Sequence, residues 1–386
     1  MHRSLRTALP AAIASLVIAT SPAAAFQPSV EVVDFTGTDW TGHTTDLAQR
    51  GDRLVATWDL ELGWPSVGIR WSDDAGLSWD TGDTITSGMT PYVESQASVC
   101  AGRAIAAYAV LFDGATRYIG TYAKTFALPP FESPPRQWSD SGVIARRPDV
   151  ACVANAELAV AWFERLDDGG YKVVLETGTP SGPDPSAQRL SLGSGSPSRG
   201  LSVAVTSDRV YVAWFQGSTL KVRRYRISAS SAHTLTSLGT TTIGTFQGGT
   251  TPKIGADGAK VVVAYTHGAD LKVRRSTNRG VSFGSATTIR NLPDASEVGA
   301  LATTVWVKGD LVALGTIDVG GIDTLYGDGR GYKSTNGGVS FSRLTTHTGG
   351  RVLATVVRPA STYRWAEVWD QSFDQEGPGL VRFRRQ

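Results

Sequence analysis

Apolar and polar residues alternate in short runs along most of the chain, the period of half-buried β-strands. One run recurs, an alternating apolar strand ending in Ala-aromatic or a close variant. The instances are Leu54-Val-Ala-Thr-Trp58, Ala104-Ile-Ala-Ala-Tyr108, Leu158-Ala-Val-Ala-Trp162, Val210-Tyr-Val-Ala-Trp214 and Val261-Val-Val-Ala-Tyr265. Leu311-Val-Ala-Leu-Gly315 is weaker, and Trp365-Ala-Glu-Val-Trp369 closes the series. Successive spacings are 50, 54, 52, 51, 50 and 54 residues, a fixed period that marks a repeat architecture. Each unit adds an earlier strand, as in Leu201–Val205, and a later one, as in Leu220–Ile227, separated by Gly, Asp and Asn turns. No stretch longer than a turn or two has helical period. The pattern predicts an all-β, seven-bladed β-propeller, with a six-bladed ring as the alternative. The last unit has strands near Arg351–Val357, Tyr363–Trp369 and Gly379–Arg384. Ser29–Thr36 is then expected to supply its outer strand and close the ring.

Residues 1–25 carry Arg3 and Arg6, an apolar run from Ala8 to Thr20 and the small-residue end Ser21-Pro22-Ala23-Ala24-Ala25. This is the pattern of a secretory signal peptide, so the expected domain is 26–386 and the expected location extracellular. No other stretch is apolar and long enough to span a membrane. With 43 Gly, 18 Pro and 19% charged residues among 386, the composition is that of a globular chain. The 37 basic and 35 acidic residues fall to 35 each once Arg3 and Arg6 are removed. On that total, no polybasic field is expected and nucleic acid is not an expected partner. Five His and two Cys exclude a Cys/His zinc framework, and neither a metal nor a cofactor is expected. Cys100 and Cys152 sit before equivalent turns of adjacent units, on neighbouring innermost strands. They form one disulfide in an oxidising compartment, or else two buried thiols.

A second repeat is sharper. Ser72-Asp-Asp74-Ala-Gly76-Leu-Ser-Trp79 fits S-x-D-x-G-x-x-W. Ser276-Thr-Asn278-Arg-Gly280-Val-Ser-Phe283 and Ser334-Thr-Asn336-Gly-Gly338-Val-Ser-Phe341 vary it with Asn for Asp and Phe for Trp. Such residues hold a hairpin: Ser and Asx oxygens take backbone amides, Gly takes a positive φ, and the aromatic packs back on the sheet. These strings resemble the Asp box, or bacterial neuraminidase repeat, of the sialidase superfamily of β-propellers. The resemblance implies a propeller fold, with the motif on outer hairpins away from the central site. It also implies glycan recognition, and glycoside hydrolysis if the chain is an enzyme. Sialidases are usually six-bladed, although seven-bladed glyco-enzymes of the superfamily exist. They grip a carboxylate with three Arg, the first in an Arg-Ile-Pro string. This chain has none; its nearest string, Arg146-Arg147-Pro148-Asp149, falls in the third unit.

Functional side chains of a propeller come from loops entering the innermost strand and leaving the second. Arg147 and Arg199 share one register, 52 residues apart like Trp162 and Trp214, and Arg351 opens the last inner strand. The three are candidates for binding an anionic sugar bidentately. Pairing with neighbours, Arg147 with Asp149 or Arg351 with Glu297, is the other reading. Glycoside hydrolysis needs two carboxyl groups, or a Tyr/Glu pair with an acid. Asp46, Glu94, Glu164 and Glu297 are the candidate acids, and Tyr92 alternates with Glu94 on one segment. His267 is the one His in a leaving loop, a hydrogen-bonded structural residue or part of a His/Tyr lyase pair. The reading is therefore an extracellular glycan recogniser, with or without exo-hydrolysis of an anionic sugar. A non-enzymatic propeller binding a protein or cell-wall polymer is the alternative, and a polysaccharide lyase a minor one. The oligomeric state is open.

Overall fold

The computed structural model describes residues 30–34, 45–60, 66–80, 83–85, 92–100, 102–112, 116–126, 132–140, 143–153, 157–179, 182–183, 189–228, 234–246, 252–290, 298–320, 329–347, 350–357, 365–372 and 379–385. Its strands form seven antiparallel sheets in chain order. Sheet one holds Thr45–Arg50, Arg53–Leu60, Ser66–Ser72 and Asp83–Ile85. Sheet two holds Tyr92–Cys100, Arg103–Phe112, Thr116–Thr125 and Glu132–Gln137. Sheet three holds Ala145–Cys152, Leu158–Arg165 and Tyr171–Thr179, with Gly182–Pro183 and Leu190–Ser194 both against the third strand. Sheet four holds Leu201–Val205, Arg209–Gln216, Thr219–Ile227 and Leu235–Thr245. Sheet five holds Lys253–Asp257, Lys260–His267, Asp270–Ser276 and Thr287–Arg290. Sheet six holds Val298–Lys308, Leu311–Gly320, Gly329–Ser334 and Ser342–His347. Sheet seven joins Gly350–Val357, Trp365–Ser372 and Gly379–Arg385 to Val30–Asp34, which pairs with the chain's last strand.

The first strands of consecutive sheets pack side by side, and that of sheet seven packs on that of sheet one. The result is a β-propeller around a central channel. Its core lies between the sheets, because strands covered on both faces bury both sets of side chains. Trp162 and Trp214 are buried, as are Trp58, Tyr108 and Tyr265. These are the aromatics whose spacing revealed the repeat. In sheet one the anchor lies over the residue directly opposite on the third strand, Gly68. A Cβ there would come within 2.1 Å of the Trp58 ring. Gly120 does the same service for Tyr108. Cys100 and Cys152 are joined by a disulfide between the far ends of the inner strands of sheets two and three, Cα to Cα 5.2 Å. The two-thiol alternative is thereby set aside.

The three Ser-x-Asx-x-Gly strings are hairpin turns of one construction. Ser Oγ donates to the Asx side-chain oxygen at 2.8 Å in each, and accepts from the Gly amide at 2.7 Å at Gly76 and 2.9 Å at Gly280 and Gly338. The Asx oxygen also accepts the amide of Ser78, Ser282 or Ser340 at 3.0 Å. Between Asp and Asn one side-chain bond reverses: Ser78 Oγ donates to Asp74, whereas Asn278 and Asn336 donate to the Ser282 and Ser340 hydroxyls. A hydroxyl serves either way, which explains the interchange. In each turn the residue before the Gly also has positive φ and donates its amide to the turn between the first two strands of its own sheet: Ala75 to Asp52, Arg279 to Ala259, Gly337 to Asp310. The motif thus locks two turns of a sheet together, at the end opposite the entry to the channel.

Candidate functional site at the channel mouth

Five polar residues occupy one level of the channel: Asp46, Gln96, Asp149, Ser202 and Lys253. Each pairs with the residue just before its sheet's anchor aromatic. They line a cavity of about 270 Å³. Asp46 accepts the amide of Leu47 at 2.9 Å and that of Ala97, on the next sheet, at 3.0 Å. Asp149 repeats the device with Val150 at 2.8 Å and Val203 at 2.7 Å. Ser202 Oγ accepts the Ile254 amide at 3.3 Å, which continues the series to sheet five. Lys253 reaches across the channel and donates to Gln96 at 3.3 Å. Burial pushes the Asp149 carboxyl up to about 6. Lys253 opposes that rise, Asp46 adds to it, and the bonds from Val203 and Ser202 oppose it. Sequence reasoning placed Asp46, Asp149 and Lys253 on the loops entering the inner strands, but missed Gln96, Ser202 and the ring the five make. The signal was available: these residues lie 12 or 13 positions before Trp58, Tyr108, Trp162, Trp214 and Tyr265.

Above this ring the inner strands of sheets two and three are bulged, between Val93 and Gln96 and between Arg146 and Asp149. Glu94 and Arg147 sit in these bulges with φ of 59° and 48°. Left-handed backbone costs a non-Gly residue free energy, on the order of 1 kcal/mol or more, and is held by surrounding structure. Here the holder is mutual, because the Arg147 amide donates to Glu94 Oε2 at 2.6 Å. The bond spends the Arg147 backbone and leaves its side chain exposed at the mouth. Tyr92 lies in the same strand as Glu94 and pairs with Val110.

Other candidates lie elsewhere. Arg199 ends a short 3-10 turn, Pro197–Arg199. It is half-buried, donates to the Phe246 carbonyl at 3.3 Å and stacks over Phe215 at 5.6 Å. Shared register with Arg147 therefore does not give a shared environment. Glu164 is buried between sheets two and three, in ion pairs with Lys172 at 2.6 Å and with Arg189. Burial raises its carboxyl, but bonds and charge from Lys172 and Arg189 outweigh that and hold it below the usual range. Arg189 also pairs with Asp140 at 2.8 Å and stacks on Trp162 at 5.2 Å. Nearby Glu176, raised by burial to about 7, lies against the same cluster. His267 shares a hydrogen bond with Lys272 at 3.3 Å and touches the Phe246 ring. Arg351 opens the inner strand of sheet seven opposite Asp370. Glu297 and the segment 1–25 lie outside the described residues. Among the described residues no three His, Cys, Asp or Glu cluster as a metal site, and no helix is long and apolar enough to cross a membrane.

No protein-family model matches the chain, and no curated protein matches it in sequence. Solved structures do match its fold. A Trypanosoma rangeli sialidase mutant displaying trans-sialidase activity superposes with a TM-score of 0.51 at 10% identity, over 94% of this chain and 60% of that one. The endosialidase of phage phi92 gives 0.51 at 10% identity, over 93% and 69%. The K499G mutant of the NanB sialidase from Streptococcus pneumoniae gives 0.49 at 12% identity, over 97% and 73%. The first two show that this chain has the β-propeller fold found in sialidases. The chain spans less than two thirds of the trypanosomal enzyme.

Proposed function

We propose that the protein is an extracellular glycan-recognition propeller that takes an anionic sugar at the channel mouth. We read its seven sheets as seven blades, the last completed by the N-terminal strand. The sheet pairing and the contacts between inner strands support that count over six. The observation that carries the functional reading is the Glu94–Arg147 pair: two strained, non-Gly residues on adjacent sheets, locked to each other, with a guanidinium left exposed. Strain of this kind gathers at ligand sites, and Arg suits a carboxylate. In a hydrolase Arg147 would hold the acidic group and Glu94 would stand beside the scissile bond, with Tyr92 and Arg351 as further candidates. The sialidase fold adds support at the level of architecture alone.

A second reading, binding without turnover, has its own observation. Two of the expected acids, Asp46 and Glu164, are engaged by backbone amides or cations, as is Asp149 of the ring, so these carboxylates already do structural work. The test is release of fluorophore from glycosides of sialic and uronic acids by wild type and Arg147→Ala. Release that the substitution abolishes supports hydrolysis at the mouth. Release that it leaves unchanged overturns the site. With no release, binding of the same sugars that Arg147→Ala weakens establishes the second reading.

A further inference from the structure

The balanced total charge conceals an uneven distribution, which corrects the expectation of no basic field. Residues 201–290, sheets four and five, hold 12 Lys and Arg against 3 Asp, a net of +9. The whole chain is only +2, so everything outside them sums to −7. Part of this charge is concentrated at the seam between the two sheets, at the end opposite the mouth. Arg209 and Arg226 stand directly opposite each other in the ladder of sheet four, and Tyr211 stands opposite Arg224. Alternation puts all four side chains on one face. Tyr211 on that face packs into the core shared with sheet five. Sheet five contributes Arg279 from its Ser-x-Asn-x-Gly turn, next to Gly280, which lies against the Arg224 stem.

Of these four guanidinium groups, two meet the same acid. Asp208 Oδ2 takes both Arg209 Nε at 3.4 Å and Arg279 Nη1 at 3.2 Å. Arg224 is 9% exposed, donates to the Leu238 carbonyl, and keeps a buried Nε without a partner. Burial, with Arg209 adding to it, lowers its pKa. Like charges set opposite each other across a ladder are destabilising, and an arriving anion reverses that effect.

We infer that this seam is a docking surface for an acidic polysaccharide, held by Arg209, Arg224, Arg226 and Arg279 on the far side of the propeller from the mouth. The choice of polymer rests on the glycan reading of the mouth; the surface itself does not. Charge is the recognition element. The large exposed apolar side chains among the described residues are Leu77, Leu166, Val281 and Val339, none of them an aromatic on which bases would stack.

The test is binding of fluorescent polygalacturonate oligomers to the full chain, followed by anisotropy at low and high salt. The expected result is binding that weakens with salt and falls about tenfold in Arg226→Gln/Arg279→Gln. The same loss is expected when both proteins also carry Arg147→Ala, which removes the guanidinium of the mouth from the comparison. Arg226→Gln relieves the repulsion with Arg209, and Arg279→Gln gives up one exposed ion pair worth about 1 kcal/mol or less, so the double variant should melt close to wild type. Equal binding by that variant, equal binding of uncharged dextran, or tighter binding of duplex DNA would overturn the inference. Polymer binding that depends on Arg226 and Arg279 beside an inert mouth supports the seam and fails only the glycan-mouth reading.

Discussion

The channel ring and the far seam of sheets four and five are both built from charged side chains, and they solve opposite problems. In the ring, each oxygen of Asp46 and Asp149 accepts a backbone amide, one from its own strand and one from the next sheet. Those carboxylates are mortar between sheets. In the seam, Arg209 faces Arg226, and one Asp208 oxygen serves two cations. A satisfied buried charge reports architecture, whereas a crowded one of single sign reports a partner that is elsewhere. The mouth falls between the two, with a satisfied backbone and an exposed guanidinium at Arg147.

The comparison can be broken at several points. The largest effect is expected at the foot of the ring, where the disulfide closes a separation of 52 residues. Cys100→Ser with Cys152→Ser should cost about 4 kcal/mol in urea unfolding by the loop-closure argument. A loss below about 1 kcal/mol would mean that the ring alone holds sheets two and three together. Next is Asp149→Ala, which orphans the Val203 amide and should cost about 2–3 kcal/mol, with Asp149→Asn recovering part. If Asp149→Ala unfolds like wild type, the mortar description fails.

The pH dependence sharpens the same point. Asp149 has its native pKa raised from 3.8 to about 6, so its protonated form is favoured in the fold. Stability from this group is fully present below about 4 and is lost as pH rises toward 6. Glu176, raised from 4.5 to about 7, acts in the same direction over a higher window. Unfolding free energy should therefore fall between pH 4 and 7, and Asp149→Asn should flatten the lower part of that fall. An unchanged profile would contradict the burial of Asp149. The smallest effect belongs to the hairpin turns. Ser334→Ala removes the acceptor of the Gly338 amide and the donor to Asn336, and should cost about 1 kcal/mol without touching binding at the mouth. A change in binding would tie the turns to the site.

The repeat was legible because it is written in burial. An aromatic recurs wherever a sheet needs its core filled, and Trp58 over Gly68 shows how tightly that filling is specified. The turn motifs were legible because their hydrogen bonds are local. The mouth was only partly so. Glu94 and Arg147 were named by position, but the bulges and positive φ that make them a pair depend on contacts between sheets. Glu164 was named for its place at a strand end. Its partner Lys172 stands directly opposite across one hairpin, but Arg189 comes from beyond the third strand, a pairing that local sequence does not bring together. Arg199 shares the register of Arg147 yet turns to Phe215 and Phe246, because a 3-10 turn precedes its strand. The basic seam was in the sequence throughout, hidden by summing charge over the whole chain.

The central claim is that Arg147 and the far seam are two separate anion sites of one propeller. It is tested most directly by calorimetric titration of an acidic monosaccharide, N-acetylneuraminic acid, into wild type, Arg147→Ala and Arg226→Gln/Arg279→Gln. The account predicts a heat of binding that disappears in Arg147→Ala and persists in the seam variant. Binding that survives Arg147→Ala undiminished, or that is absent from wild type, would contradict it.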